Sequence, residues 1–315
     1  MKAVVMTAPE TSPTGGTFGE PEPRPGEDVV ELIGAGLHQV VRSRASGAHY
    51  SSAGMFPNVP GVDAVARTSD GRVVYTGWIR PPWGTMAERM AAPAGIELPP
   101  RADPLAVAAG VNPAMSGWFP LAGRREENGS LGTVLIVGAT GMSGRLAVQS
   151  AFALGADRVV AAGRDAGRLE EVAALGATPV SLTGPDAASA LADALAGERP
   201  SIVLDYVWGP AAETAFEALN RSGFDEDGGV DTVYTQIGGL AGRTAAVPAD
   251  LLRSRPIRIL GSGLGSVSNE KLLAGLPGVI GLIADGTLAV PYTPFPIEDA
   301  AAAWAHTGDR AVIVP

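Results

Sequence analysis

The apolar run Val134-Leu-Ile-Val137 feeds directly into Gly138-Ala-Thr140-Gly141-Met142-Ser143-Gly144, and a helical spacing of apolar residues follows to about Leu154, closed by Gly155. Glycines placed between a buried strand and a helix suit the binding of an anion. Gly138 and Gly141 permit a tight turn with backbone close to a pyrophosphate, and Gly144 lets the helix press on the strand. The helix N-terminus adds unpaired N–H groups at a positive dipole end. The segment reads as the phosphate cradle of a dinucleotide, with Thr140, Met142 and Ser143 in the turn itself. A second strand, Arg158-Val-Val-Ala-Ala162, then ends in Gly163-Arg164-Asp165 and completes a βαβ unit. An NAD-specific site places an acidic residue at this strand end to bind the ribose 2′-hydroxyl, and Gly163 stands there instead. Arg164, with Arg168 one turn into the next helix (Ala166–Leu175), offers guanidinium groups to a phosphate dianion, so the pattern favours NADPH over NADH. The plainer reading is that Asp165 caps that helix and both arginines are solvated; a cap is compatible with either.

Other chemistries are narrowed by what the chain lacks. With no cysteine there is no disulfide, thiolate nucleophile or cysteine-ligated metal. Lysine occurs only at Lys2 and Lys271, neither in a site-like setting, which disfavours Schiff-base catalysis. The formal net charge of −10 argues against nonspecific nucleic-acid binding. No run of about 18 apolar residues is free of glycine, proline or charge, so no membrane partner is expected. The first residues are too strand-like for a signal peptide, which makes the cytoplasm the expected compartment. Gly141-Met-Ser143-Gly144 would need a glycine at Arg145 to resemble a hydrolase nucleophile elbow. His306 reads as a packing or surface histidine, and Glu170, Glu171 and the acidic run at 225–227 as solvated charges.

The elements that must position these residues differ along the chain. Residues 1 to about 112 are rich in glycine, proline and short β-type runs (Lys2–Met6, Val29–Ala35, Arg72–Thr76) separated by turns, which suggests a small β-barrel-like domain. From about Leu131 strands alternate with helices: Val134–Val137, Val159–Ala162, Thr178–Leu182, Ile202–Tyr206, Thr232–Ile237 and Ile257–Gly261. Six strands with intervening helices make a doubly wound parallel sheet. The tail has a helix near Asn269–Ala284, a strand near Pro291–Pro296, a short helix over Ala300–His306 and a last strand, Ala311–Val314.

In that order, Gly34-Ala-Gly-Leu-His38, the turn Val59-Pro-Gly-Val-Asp63, the Gly138–Gly144 fingerprint and the strand exit Gly261-Ser-Gly-Leu-Gly265 resemble the medium-chain dehydrogenase/reductase superfamily over essentially the whole chain. Within it the chain is most similar to the zinc-independent quinone oxidoreductase branch. The resemblance implies an α/β protein in which a GroES-like β-barrel substrate domain (1–115, completed by 263–315) accompanies a Rossmann domain with a six-stranded parallel sheet (116–262), the nicotinamide lying in a cleft between them. Zinc-dependent relatives carry a Cys at the position of His38, a His at that of Val62 and a Cys near Asn112, with four further cysteines between Tyr75 and Met90. This chain keeps one possible ligand, so metal-free hydride delivery to a quinone, an enone or an imine is what the likeness implies.

The same matching supplies the remaining candidates. Relatives carry a Tyr in the stretch Gly47-Ala-His49-Tyr50 and an Asn at the position of His38, which makes His38, His49 and Tyr50 the candidate hydrogen-bond donors or acids; Val41 replaces an Asp usual in the family. Asn112 and Ser116, placed just before the helix that leads into the Rossmann domain, are expected to contact the cofactor, with helix capping as the alternative for Ser116. Val207, Trp208, Ile237 and Gly238 lie at strand exits where the cofactor runs, Trp208 either shielding it or packing in the core. Ser262, Gly263 and Leu264 stand where relatives contact the carboxamide by main chain. A homodimer through the sixth strand and a small-molecule substrate are implied, and a nucleotide-binding sensor or structural protein with little turnover stays open.

Overall fold

The computed structural model describes residues 1–9, 11–47, 52, 54–221, 231–263 and 265–315. The chain divides into two compact units, Met1–Pro113 with Leu276–Pro315 and Ala114–Gly275.

The first unit is built on strands. β1 (Lys2–Val5) pairs antiparallel with β2 (Thr14–Thr17). A larger sheet runs β14 (Tyr292–Pro296), β15 (Arg310–Val314), β3 (Glu27–Gly36), β4 (Asp63–Arg67), β5 (Val73–Gly77) and β7 (Ile96–Glu97), with β6 (Arg89–Pro93) also on β3. The chain's end thus returns to the first domain, β15 lying against the last residues of β3 with Ile313 opposite Ala35. Ala3, Val30, Leu32, Leu37, Met86, Met90 and Ile313 fill one core. Helices α1 (Gln39–Ala45) and α9 (Ala300–Ala305) belong to this unit.

Helix α2 (Pro104–Asn128) crosses the division between units. Its length corrects an expectation: Asn112 and Ser116 do not precede a helix but sit four residues apart inside one of 25 residues, so Ser116 is no helix cap. Pro113 and Pro120 suggest breaks because each removes a donor, yet the helix runs through both.

In the second unit a parallel sheet of six strands has the order β10 (Thr178–Ser181), β9 (Arg158–Gly163), β8 (Thr133–Val137), β11 (Ile202–Asp205), β12 (Thr232–Gln236) and β13 (Ile257–Gly261). This is the doubly wound Rossmann order with its switch point between β8 and β11. β8 is buried at all five residues, which is why its sequence is nearly continuous Val, Leu and Ile. Helices α3 (Met142–Ala153), α4 (Ala166–Ala174), α5 (Ala187–Leu195), α6 (Gly209–Asn220) and α7 (Ala249–Ser254) follow the strands, and α8 (Asn269–Ala284) leads back to the first unit.

At the amino ends of the central strands, buried Arg124 of α2 joins four groups. Its guanidinium donates to the Ser201 carbonyl at 3.1 Å, to Glu127 at 2.8 Å, to the Asp231 carboxylate at 2.6 Å and to the Asp231 carbonyl. Arg258 of β13 completes the cluster from outside, bonding Asp231 at 2.8 Å and Glu127 at 2.7 Å.

Candidate functional site

The glycine turn opens α3 as the sequence implies, but each glycine answers a different constraint. Gly138 has φ +87°, and a Cβ there would lie 2.9 Å from Val207 Cγ1. Gly144 sits against the turn so closely that a Cβ would lie 2.3 Å from the Gly138 carbonyl oxygen. Gly141 is the N-cap of α3 with an ordinary φ of −82° and no side-chain cap. A Cβ on it would meet only that same oxygen, at 3.7 Å. The space over Gly141 is open, and the first-turn N–H groups of Met142, Ser143 and Gly144 have no intrahelical acceptors. A negatively charged oxygen suits that place.

Beside the turn, the end of β9 is kept bare for packing. A Cβ on Gly163 would lie 2.4 Å from Thr140 Cγ2. Asp165 caps α4 by accepting the Arg168 N–H at 3.0 Å. The Arg168 guanidinium reaches back to donate to the Thr140 carbonyl at 3.3 Å, so it braces the glycine turn. Arg164 is exposed and makes no side-chain hydrogen bond or ion pair among the described residues.

Across the switch point a carboxylate organises two strand exits. Asp205, fully buried at the end of β11, accepts N–H groups from Val207 at 2.8 Å and Trp208 at 2.9 Å and the Tyr234 hydroxyl at 2.7 Å. Its carbonyl accepts from Ile237 at 2.7 Å and Gly238 at 3.1 Å. Burial raises the Asp205 carboxyl above the ordinary range, against these hydrogen bonds to its charged form. A Cβ on Gly238 would lie 2.1 Å from the Tyr206 carbonyl oxygen, so only glycine fits where the β11 and β12 exits cross. Trp208 has φ +57°, strained for a bulky residue, and its indole packs edge-on to Phe216 and Tyr234 at 5.9 and 6.2 Å. The indole is half-buried and packs against the core cluster from its rim, which leaves both of its expected roles open. Ser262 N–H donates to the Gln236 carbonyl at 2.8 Å, and Gly263 N–H to Ser266 Oγ at 2.7 Å. Ser116 Oγ lies 3.4 Å from the buried Tyr206 hydroxyl. These candidates thus gather at the carboxyl edge of one sheet. Leu264 lies outside the described residues.

His38 belongs to the first unit, at the corner between β3 and α1. The ring is 3% exposed and its Nε2 lies 3.3 Å from Asp63 Oδ1 at the start of β4. Tyr75 donates to Asp63 Oδ2 at 2.6 Å, and Arg310 donates to the Leu37 carbonyl at 2.8 Å. Burial, and then the Arg310 charge, hold the imidazole well below its usual range. Burial pushes the Asp63 carboxyl up to about 7, although Tyr75 and Arg310 oppose the shift. Asn112 is half-buried on α2 in the same unit. His49 and Tyr50 lie outside the described residues.

Residues 144–274 match the zinc-binding dehydrogenase family. A probable NADPH-dependent quinone reductase of Emericella nidulans is 29% identical, the match covering 99% of each chain. The quinone oxidoreductase of Thermus thermophilus, solved with and without NADPH, is 26% identical and matches over 100% of both chains with a TM-score of 0.78. Over its whole length the chain is thus similar to quinone oxidoreductases. A mycobacterial quinone oxidoreductase shares the fold over 100% of both chains, with a TM-score of 0.81 at 19% identity.

The described residues offer no ligand set for the zinc ion of the matched family's name. A catalytic zinc takes three protein ligands. The His38 corner brings together one imidazole and one carboxylate, with Val62 beside them. Among the described residues no three His, Cys, Asp or Glu side chains could hold a metal. Nor is any helix among those residues long and apolar enough to cross a membrane. The sequence reading missed Asp63, Arg310 and the organising role of Asp205. A lone Asp at a strand end carries no local signal, and these partners come from distant strands.

Proposed function

We propose that the chain is an NADPH-dependent, zinc-independent reductase of a quinone or a related small electrophile such as an enone or imine. The observation that carries this reading is the open phosphate cradle over Gly141, set beside a strand end where Gly163 and Arg164 replace the acidic residue an NAD site needs. The bound cofactor supplies hydride. The first turn of α3 would take the pyrophosphate and Arg164 the 2′-phosphate, while Arg168 holds the turn's shape. Val207, Ile237 and Gly238 present main chain fixed by Asp205, and Ser116, Ser262 and Gly263 stand at the same sheet edge. The absence of a three-ligand cluster in the described part of the chain supports a route without zinc. The quinone reductases of Emericella nidulans and Thermus thermophilus support the cofactor and the acceptor class.

NADPH oxidation against quinones, enones and cyclic imines, repeated with a chelator, tests the reading. Turnover of a quinone that survives chelation is expected. NADPH binding without oxidation of any acceptor would instead make the chain a nucleotide-binding sensor or structural protein. Arg164→Ala should raise the KM for NADPH about 10–100-fold, the worth of a charge-assisted contact, and leave that for NADH nearly unchanged. Steady-state kinetics with both cofactors checks this, and equal losses would remove Arg164 from phosphate recognition. The proposal extends to a homodimer through β13, whose free edge carries Leu260 at 49% exposure.

A further inference from the structure

His38 Nε2 and Asp63 Oδ1 face each other at 3.3 Å with almost no solvent access, and neither atom has a hydrogen bond of good geometry. His38 Nδ1 is likewise unpartnered. An imidazole nitrogen and a carboxylate oxygen that both lack a proton would repel at this distance. A buried carboxylate without an ion pair is also costly. Apart from His38, no cation among the described residues pairs with Asp63, whose other oxygen accepts the Tyr75 hydroxyl.

We infer that Asp63 and His38 hold one proton between them, carried by the Asp63 carboxyl, and that the β3–α1 corner is therefore a buried proton-binding site. The inference goes beyond the reductase reading and stands without it.

The groups around the pair favour this state. Tyr75 on β5 is held by burial well above the phenol range and stays a donor. Arg310 on β15 is the cation that acts on both partners. Burial lowers it to about 10, and Arg42 on α1, itself tied to the Trp304 carbonyl at 2.6 Å, opposes it. Arg310 is committed to the Leu37 carbonyl, and its Nε has no partner. The corner has little room to adapt, since a Cβ on Gly36 would lie 2.3 Å from the Ala108 carbonyl oxygen and 2.8 Å from His38 Nε2. When the proton leaves, the buried carboxylate competes with the Leu37 carbonyl for the Arg310 fork, and the tie between β15 and the end of β3 weakens.

The unfolded carboxyl titrates near 3.8 and the folded one near 7. The stability this proton confers is therefore complete below about 4 and is lost as pH rises through 7. His38, lowered on folding, acts the other way, stabilising above 6.5 and losing that contribution as pH falls. Asp63→Asn keeps the shape and cannot ionise. Its melting temperature relative to wild type should rise by several degrees between pH 4.5 and 8 and then level off. A difference that is flat or falls with pH overturns the inference. Should the variant not fold, carbon-13 NMR of the intact protein decides. An Asp63 Cγ resonance titrating near pH 7 supports the shared proton, and one titrating below pH 5 refutes it.

Discussion

Gly144→Ala is expected to destabilise the protein while Gly141→Ala, three residues earlier in the same motif, leaves stability intact and weakens NADPH binding. Helix propensity alone would favour alanine at Gly144 by about 1 kcal/mol. The added methyl, however, would stand 2.3 Å from the Gly138 carbonyl oxygen, a backbone atom that cannot rotate aside. Steric overlap wins, at about 1–3 kcal/mol and a fall in Tm of about 3–10 °C. At Gly141 the backbone is in an ordinary region and the new Cβ meets nothing closer than 3.7 Å. Its methyl fills the space a phosphate oxygen would approach. The expected loss is about 10–100-fold in NADPH affinity, the worth of one or two hydrogen bonds to a charged group. Thermal melts paired with calorimetric titration separate the two. Parallel effects of both variants on Tm and Kd would contradict the division of labour between these glycines.

The second large effect lies away from the cradle. Arg124→Met should cost about 1–3 kcal/mol, because it removes a buried guanidinium that satisfies two main-chain carbonyls as well as two partly exposed carboxylates. The Ser201 and Asp231 carbonyls lose a donor, and the Asp231 and Glu127 carboxylates keep only Arg258. Arg258→Met breaks the outer half of the cluster, where the side chain is 45% exposed, and should cost about 0–1 kcal/mol. Urea unfolding of the two variants gives the comparison, and similar losses would mean that burial does not set the worth of Arg124.

These contrasts mark what could be read from the chain. The strand, glycine turn and helix from Val134 to Leu154 were legible because their signals are local: an apolar run, glycines at fixed spacing and a closing Gly155. The six-strand alternation and the bare Gly163 followed for the same reason. Helix α2 was not legible across Pro113 and Pro120, since local breaker chemistry there points to an end and the burial of Val111, Ala114 and Leu121 beside the two prolines cannot be read from sequence. Arg168 read as a phosphate ligand from its charge; sequence does not show that its guanidinium also donates to the Thr140 carbonyl. Asp205 gave no warning of holding two exits, because the Tyr234 hydroxyl that meets it is 29 residues away.

The sequence by itself determined the glycine turn that opens α3, the doubly wound order, the lack of cysteine and the family likeness, since each is written in residue type and short spacing. Tertiary structure alone decided that His38 meets Asp63, that Arg124 meets Asp231 across 107 positions, and that Trp208 meets Phe216 and Tyr234 edge-on. Such pairings depend on which strands become neighbours and in what register. That choice is made by burial of the whole core and leaves no trace in the spacing of the residues it joins.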